Sequence, residues 1–307
     1  MSVKILVVYH KPSTLVENLP HKQGRLRGPH ETFAPILVGA NKNAAYSDFF
    51  SGAYSDNDGE NISDKNPLYN ELTAIYWAWK NYDKLGNPDY IGLWHYRRFF
   101  VFEKHKNPYR ETTEIDDKFY EKINYSQANI DSLLKSGDFV APIPSARQSV
   151  RQNYARAHRI EDLELIEKII SQKYPEYATA AKEYFDGKKT YFHNMFIFDK
   201  DTFFKYCEWI FGVLSEFERT ADVLPERMYI SERLTGVFFT KLEQDGKKAV
   251  LLPTLYITGK KQSLKAAIAQ TKQNLRSKNS SKLYALKPII VYFTPKFILK
   301  IRRSKKA

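Results

Sequence analysis

The chain has one cysteine, Cys207, in 307 residues. A lone thiol excludes an internal disulfide and any zinc site built from several cysteines, and it suits a reducing compartment. Long apolar runs are missing too. No segment approaches the ~20 uninterrupted apolar residues of a membrane-spanning helix. The opening residues Met1–Val8 run straight into strand-like sequence with no apolar signal region, so a cytoplasmic location is the expectation. Four common catalytic signatures are also absent: Gly-x-x-x-x-Gly-Lys, Gly-x-Gly-x-x-Gly, His-Glu-x-x-His and Gly-x-Ser-x-Gly. Nothing therefore points to a P-loop, a dinucleotide loop, a zinc protease helix or a nucleophile elbow. Acidic residues are missing from one end. Between Gly246 and Ala307 there are sixteen Lys or Arg and no Asp or Glu, so the net charge of +13 resides in this tail. A slightly acidic body argues against nucleic acid as the partner, whereas a basic tail points to an anionic surface touched by one end.

What is present begins with apolar runs of strand length. Lys4–Tyr9 reads as a buried parallel strand followed by a turn at His10, and Phe33–Val38 reads as a second. Residues 51–64 form a long turn-rich loop. Asn66 as N-cap and Pro67 at the first helical position open a helix. Its apolar face carries Leu68, Leu72, Ile75, Trp79 and Tyr82. Trp77 falls off that face and is the candidate for stacking on a ligand ring.

Tyr90–Trp94 then forms a strand, and helix followed by strand implies an alternating α/β sheet. Residues 103–117 read as an excursion, residues 115–136 as mostly helical, and 138–143 as a short strand. Helices follow over 160–185, split near Pro175, then a strand over 190–198 with His193 and Asn194 inside it. Helices over 201–217 and 229–243 and a last strand over 250–256 complete the pattern. Residues 1–259 are expected to form one domain. Residues 260–307, a basic helix and a Pro-broken apolar and cationic segment, suit the surface of an anionic membrane.

The strand Tyr90–Trp94 breaks into His95-Tyr96-Arg97-Arg98. Ligands of open α/β sheets bind beyond the carboxyl ends of strands, and guanidinium matches phosphate oxygens through bidentate, charge-assisted bonds. A solvated basic turn is the alternative.

Several blocks together resemble one family. They are Asn61-Ile62-Ser63, Asn66 with Glu71-Leu72-Thr73, Tyr76-Trp77-Ala78-Trp79-Lys80-Asn81, and Asp89 through Arg98. Asp138–Pro142, Tyr191–Phe196, Tyr206–Phe211 and Ser231-Glu232-Arg233-Leu234 agree with them. The resemblance is to the DUF4422 family of bacterial capsular and exopolysaccharide glycosyltransferases. It implies a GT-A-like α/β fold with a mixed, mostly parallel sheet. It also implies transfer of a hexose, galactofuranose or galactose, from a UDP-linked donor to a lipid-linked glycan acceptor on the inner face of the membrane. A non-catalytic assembly protein on the same fold is the other reading, and a nucleic-acid binder using the tail is a third.

GT-A enzymes usually neutralise the donor diphosphate through a divalent cation held by Asp-x-Asp at a strand end, where this chain has His95-Tyr96-Arg97. Arg97 and Arg98, with His95, are therefore expected to take over that charge. Asp56-Asn57-Asp58 and Asp199-Lys200-Asp201 are what remains for Mn2+ or Mg2+. Each has a simpler use, as turn residues and with Asp201 as a helix cap. Glu232 is the candidate general base, with a helix-surface ion pair to Arg233 as the alternative. Tyr9, His10, Asn66, Glu71 and Trp77 are assigned to the donor. His193, Asn194 and Asp138 are assigned to the acceptor sugar.

Overall fold

The computed structural model describes residues 1–12, 32–104, 107–112, 118–145, 147–221 and 229–258. The basic helix and cationic segment expected beyond residue 259 lie outside the described residues. The strands are β1 Val3–Tyr9, β2 Phe33–Leu37, β3 Tyr54–Ser55, β4 Tyr90–His95, β5 Arg98–Phe100, β6 Tyr109–Thr112, β7 Phe139–Pro142, β8 Phe196–Asp199, β9 Ala249–Leu252 and β10 Thr254–Ile257. The helices are α1 Asn66–Tyr69, α2 Leu72–Lys80, α3 Phe119–Lys122, α4 Gln127–Lys135, α5 Val150–Ala155, α6 Ile160–Lys173, α7 Ala178–Asp186, α8 Lys200–Thr220 and α9 Ser231–Gln244.

β1 and β4 form the sheet's spine. They pair in parallel from Val3 opposite Tyr90 to Val8 opposite His95, and β2 and β3 continue in parallel on the far side of β1. Both strands read as apolar runs because both faces of the sheet are covered. Alternate residues go to opposite sides: Leu6, Val8, Ile91 and Leu93 join one core, and Ile5, Val7, Tyr9 and Trp94 the other. The first core is filled by α8 and α9. Phe203, Tyr206, Ile210, Val213, Leu214 and Phe217 recur at helical spacing on the buried side of α8. Gly92 lets β8 pass close to β4, since a Cβ there would meet the Phe196 carbonyl oxygen at 2.8 Å.

The sheet forks at the carboxyl end of β4. Its lower part, Tyr90–Leu93, pairs antiparallel with β8, which leads on to β7 and then β9. At its top, His95 pairs with Arg98 of β5 across the two-residue turn Tyr96-Arg97, and β5 leads on to β10 and β6.

Four local expectations are corrected here. The strand expected over 250–256 divides at Pro253 into β9 and β10, which belong to different arms of the fork; proline has no N–H for either ladder. The strand expected over 190–198 shrinks to β8, because His193 and Asn194 adopt left-handed backbone angles, with φ of 76° and 49°. The excursion over 103–117 contains β6. The helix expected from Asn66 breaks at Asn70, where φ is 49° and ψ −126°. Asn66 is the first helical residue rather than the cap. Its Nδ2 donates to the Asn70 carbonyl at 2.8 Å and to Thr73 Oγ1 at 3.2 Å, bridging the break.

Candidate active site

The carboxyl end of β4 brings His95, Arg98, Glu71, His193, Asn194 and Glu232 together from five elements or turns. β8 is antiparallel to β4, so the residues just before it, His193 and Asn194, return to the edge where His95 ends its strand. The break at Asn70 turns Glu71 toward the same place. Three of the non-glycine residues with positive φ, Asn70, His193 and Asn194, thus belong to this cluster or aim it. Strain of that kind persists only where surroundings over-determine it.

The surroundings do so here. His95 Nε2 donates to the His193 carbonyl at 2.6 Å; a carbonyl only accepts, so this nitrogen carries the proton. Asn194 is held on both sides of its amide. Its Nδ2 donates to Glu71 Oε1 at 2.8 Å and to Ser231 Oγ at 3.3 Å, and its Oδ1 accepts from Thr235 Oγ1 at 2.6 Å. The Tyr206 hydroxyl lies 2.8 Å from the same Thr235 oxygen. His193 Nε2 lies 2.6 Å from the Tyr256 hydroxyl, while Nδ1 faces Glu232 Oε1 at 3.9 Å. Glu232 Oε2 accepts from Arg233 Nη1 at 2.9 Å, and Arg233 Nη2 donates to Asn153 Oδ1 at 3.1 Å.

Electrostatics separates the cations from the neutral groups. Burial, reinforced by the Arg98 charge, lowers the His95 pKa to about 4. The same two causes hold His193 well below the ordinary imidazole range. Both rings are held neutral at pH 7, and His95 positions the 193–194 turn through its hydrogen bond to the His193 carbonyl. Burial raises the Glu71 carboxyl above its ordinary value, an effect that Asn194 and Arg98 partly offset.

Arg98 is the cation inside the cluster. It is partly buried, and its guanidinium carbon lies 5.9 Å from the Tyr256 ring centroid. Among the described residues it makes no hydrogen bond or ion pair. Its charge acts on the nearby Glu71 carboxylate without forming an ion pair, so its N–H groups are left for a further acceptor such as an anion. Arg97, in the turn, is exposed and donates through Nε to the Ile257 carbonyl at 3.2 Å.

The remaining assigned residues do other work. Trp77 is 1% exposed and its Nε1 donates to the Asp58 carbonyl, so it packs in the core and offers no ring to a ligand. Its helical phase misleads because the 51–64 loop folds over that side of α2. Tyr9 is fully buried between Phe50 and Tyr96, whereas His10 is exposed beyond it. Asn66 braces the α1–α2 break. Asp138 lies at the opposite edge of the sheet, at the start of β7, where it accepts from the Lys248 N–H at 2.7 Å and pairs with Lys247. It is too far round the sheet to join His193.

Asp199 ends β8 at that same far edge. It caps α8 by accepting from the Thr202 N–H at 2.9 Å and from Thr202 Oγ1 at 2.6 Å. The cap is therefore Asp199, and Asp201 lies exposed in the first helical turn. Asp56 is fully buried. Its carboxylate accepts from the Gly39 and Ala40 N–H groups and from the Ser63 and Thr73 hydroxyls, at 2.6–3.0 Å. Asp58 pairs with Lys84 at 2.9 Å. Neither Asp-x-Asp string presents two free carboxylates to one point. Among the described residues no three His, Cys, Asp or Glu side chains converge on a metal-sized site.

Sequence reasoning did not single out Tyr256, Thr235 or Asn153. The pairing of Glu232 with Arg233, the alternative to its role as a base, is present at 2.9 Å.

Residues 4–244 match the profile of a family described as Domain of unknown function (DUF4422). The chain belongs to that family. A comparison with curated proteins finds no match. Among solved structures, this DUF4422 chain is similar to one described as WbbM bifunctional glycosyltransferase in its apo form, with a TM-score of 0.69 and 29% identity. The alignment covers 84% of this chain and 46% of that one, so the chain spans about half the length of the structure it matches. The sheet, its fork and its flanking helices make an α/β, GT-A-like fold. No helix among the described residues is long and apolar enough to cross a membrane.

Proposed function

We propose that this DUF4422 chain is a glycosyltransferase that moves a hexose from a nucleoside-diphosphate sugar, UDP-linked, to a glycan acceptor. The observation that carries the reading is Arg98. It is an unpaired guanidinium beside an oriented carboxylate, at the strand edge where α/β sheets bind ligands, in a chain that aligns with a glycosyltransferase over most of its length. Arg98, with Arg97 at the mouth, neutralises the diphosphate as it leaves. Preorganised positive charge at the place where negative charge develops is the largest single contribution such a site makes.

Glu232 is the base. Arg233 fixes Oε2 and leaves Oε1 toward the reacting centre. It takes the proton from an acceptor hydroxyl, whose oxygen bonds to the anomeric carbon. The bond from that carbon to the phosphate oxygen breaks, and its electron pair departs on the diphosphate. The described Asp-x-Asp carboxylates do not fit a divalent cation, so no step is assigned to one.

Galactofuranose or galactose is the proposed sugar, on the family resemblance. A lipid-linked acceptor is proposed on the same ground, with the cationic residues beyond 259 meeting the anionic leaflet. Loss of residues 283–307 should then lower transfer to a lipid-linked acceptor more than to a soluble analogue. Release of UDP from a panel of UDP-hexoses, with and without EDTA, tests the central reading. Release from one donor that persists in EDTA supports it. Complete dependence on added Mn2+ overturns the role given to the arginines. No release from any donor leaves the non-catalytic assembly role.

A further inference from the structure

Glu232 has different chemistry on its two oxygens. On the Oε1 side, His193 leads to Tyr256 and then to Arg98. On the Oε2 side, Arg233 is 4% exposed and its guanidinium lies 5.8 Å from the Tyr154 ring and 5.4 Å from the Phe192 ring. Rings continue outward from there. Tyr154 and His158 have centroids 4.7 Å apart, and His158 and Tyr229 5.7 Å. The series passes from buried Tyr154 through half-buried His158 to Tyr229, which is 47% exposed and one of the few large exposed apolar side chains among the described residues. Asn153 adds a polar group. Its Oδ1 is taken by Arg233, which can only donate, so its Nδ2 keeps no hydrogen-bond partner among the described residues.

We propose that this ring series is the acceptor subsite. The terminal sugar of a neutral glycan lays its apolar C–H face on His158 and Tyr229, accepts a hydrogen bond from Asn153 Nδ2, and presents one hydroxyl to Glu232. The inference rests on the glycosyltransferase reading. A base must touch the nucleophile, so the acceptor borders Glu232, and the flank holding the unpaired Arg98 suits the anionic leaving group. The other flank suits a neutral ring. Arg233 Nη1 and Nη2 are committed to Glu232 and Asn153, its Nε is a buried donor without a hydrogen-bond partner among the described residues, and burial and the Arg233 charge hold the His158 pKa below its ordinary value. The His158 and Tyr229 rings are inclined at 57° to each other, and aromatic faces beside a placed amide are the composition of a site for a ring with hydroxyls and apolar faces. A nucleobase would also stack there, but its diphosphate would have to pass Glu232 to reach Arg98. The acceptor site expected at His193, Asn194 and Asp138 is accordingly relocated: His193 lies between Tyr256 and Glu232 Oε1, Asn194 is consumed by Glu71, Ser231 and Thr235, and Asp138 is on another edge.

Saturation-transfer NMR on the full chain tests the assignment. The probes are methyl glycosides of galactose, glucose, mannose, rhamnose and N-acetylglucosamine, with UMP as the competing ligand. At least one glycoside should receive saturation, weakened about fivefold in Tyr229→Ala and His158→Ala and retained in Tyr229→Phe; about fivefold is the size of one aromatic stacking contact. Saturation of UMP should be equal in all variants. Tyr229 is exposed, so its replacement leaves the fold intact. Glycoside saturation indifferent to Tyr229, or a UMP signal abolished by its replacement, overturns the subsite. UDP release, measured on the same samples, separates the two claims. Tyr229-dependent glycoside binding without turnover of any UDP-hexose refutes the transferase and leaves a glycan-binding surface. Turnover with Tyr229-independent binding refutes only the subsite.

Discussion

At the amino edge of the sheet, Asp89, Asp138 and Asp199 each spend a carboxylate on a backbone N–H. The donors are Ser2 at 2.8 Å, Lys248 at 2.7 Å and Thr202 at 2.9 Å. These bonds close strand and helix ends, and they hold the Asp89 and Asp138 pKa values below the ordinary range. At the carboxyl edge the charges are arranged otherwise. Arg98 makes no hydrogen bond or ion pair among the described residues, Glu232 is clamped on one oxygen only, and two imidazoles are kept neutral. The turn that aims them is held in left-handed backbone angles. One edge is saturated and stops the chain. The other leaves its valences for something that is not protein.

The comparison breaks most decisively at Glu232. Glu232→Gln keeps the shape and removes the basic oxygen, so transfer should fall by ~10²–10⁴ while UDP-sugar binding persists. Rapid-quench transfer assays beside calorimetric titration of UDP read both quantities, and normal transfer would remove Glu232 from the chemistry. Arg98→Ala comes next. Loss of one preorganised donor at developing charge costs ~10²–10³ in turnover. UDP release within twofold of the parent, at unchanged melting temperature, would show the open charge to be idle.

A smaller effect comes from pH. The His95 pKa in the folded chain, about 4, lies below its ordinary 6.5, so the unfolded chain binds this proton first. Its contribution is complete above about pH 6.5 and is lost as the pH falls toward 4; His193 acts in the same direction. Urea midpoints between about pH 7 and 5 should therefore decline, and the decline should be shallower in His95→Gln. Equal slopes would mean that the imidazole is not buried uncharged. The smallest expected change belongs to the saturated edge. Asp199→Ala loses a helix cap, worth about 1 kcal/mol of stability. It should leave UDP release unaltered, and altered metal dependence in that variant would contradict the division between the edges.

Much of this organisation was legible in residues 3–257. β1 and β4 showed as apolar runs because both faces are covered, and α6, α7 and α8 showed through helical spacing and Pro175. Breaks were less legible. Asn70, Pro253 and the 193–194 turn interrupt segments whose apolar pattern would have continued; the first two have local causes, an Asn66 bridge and a proline without an N–H, and only the last is held by partners distant in sequence. Trp77 and Asp138 went astray for related reasons. A helical phase does not reveal which loop lies over it, and a carboxylate at a strand start looks the same at either edge until strand direction is known.

Sequence alone determined that the strand Tyr90–Trp94 runs into His95-Tyr96-Arg97-Arg98, that Glu232 and Arg233 are neighbours in a helix, and that the excess of positive charge gathers beyond Gly246. These are facts of composition and short-range order. Only the tertiary structure decided which arginine faces inward. Arg98 begins β5 and pairs with Tyr256 of β10, while Arg97 stays in the turn before it and is exposed. It also decided that residues 71, 98, 193 and 232 meet. Their meeting depends on strand direction and on the fork at β4, which no local pattern encodes.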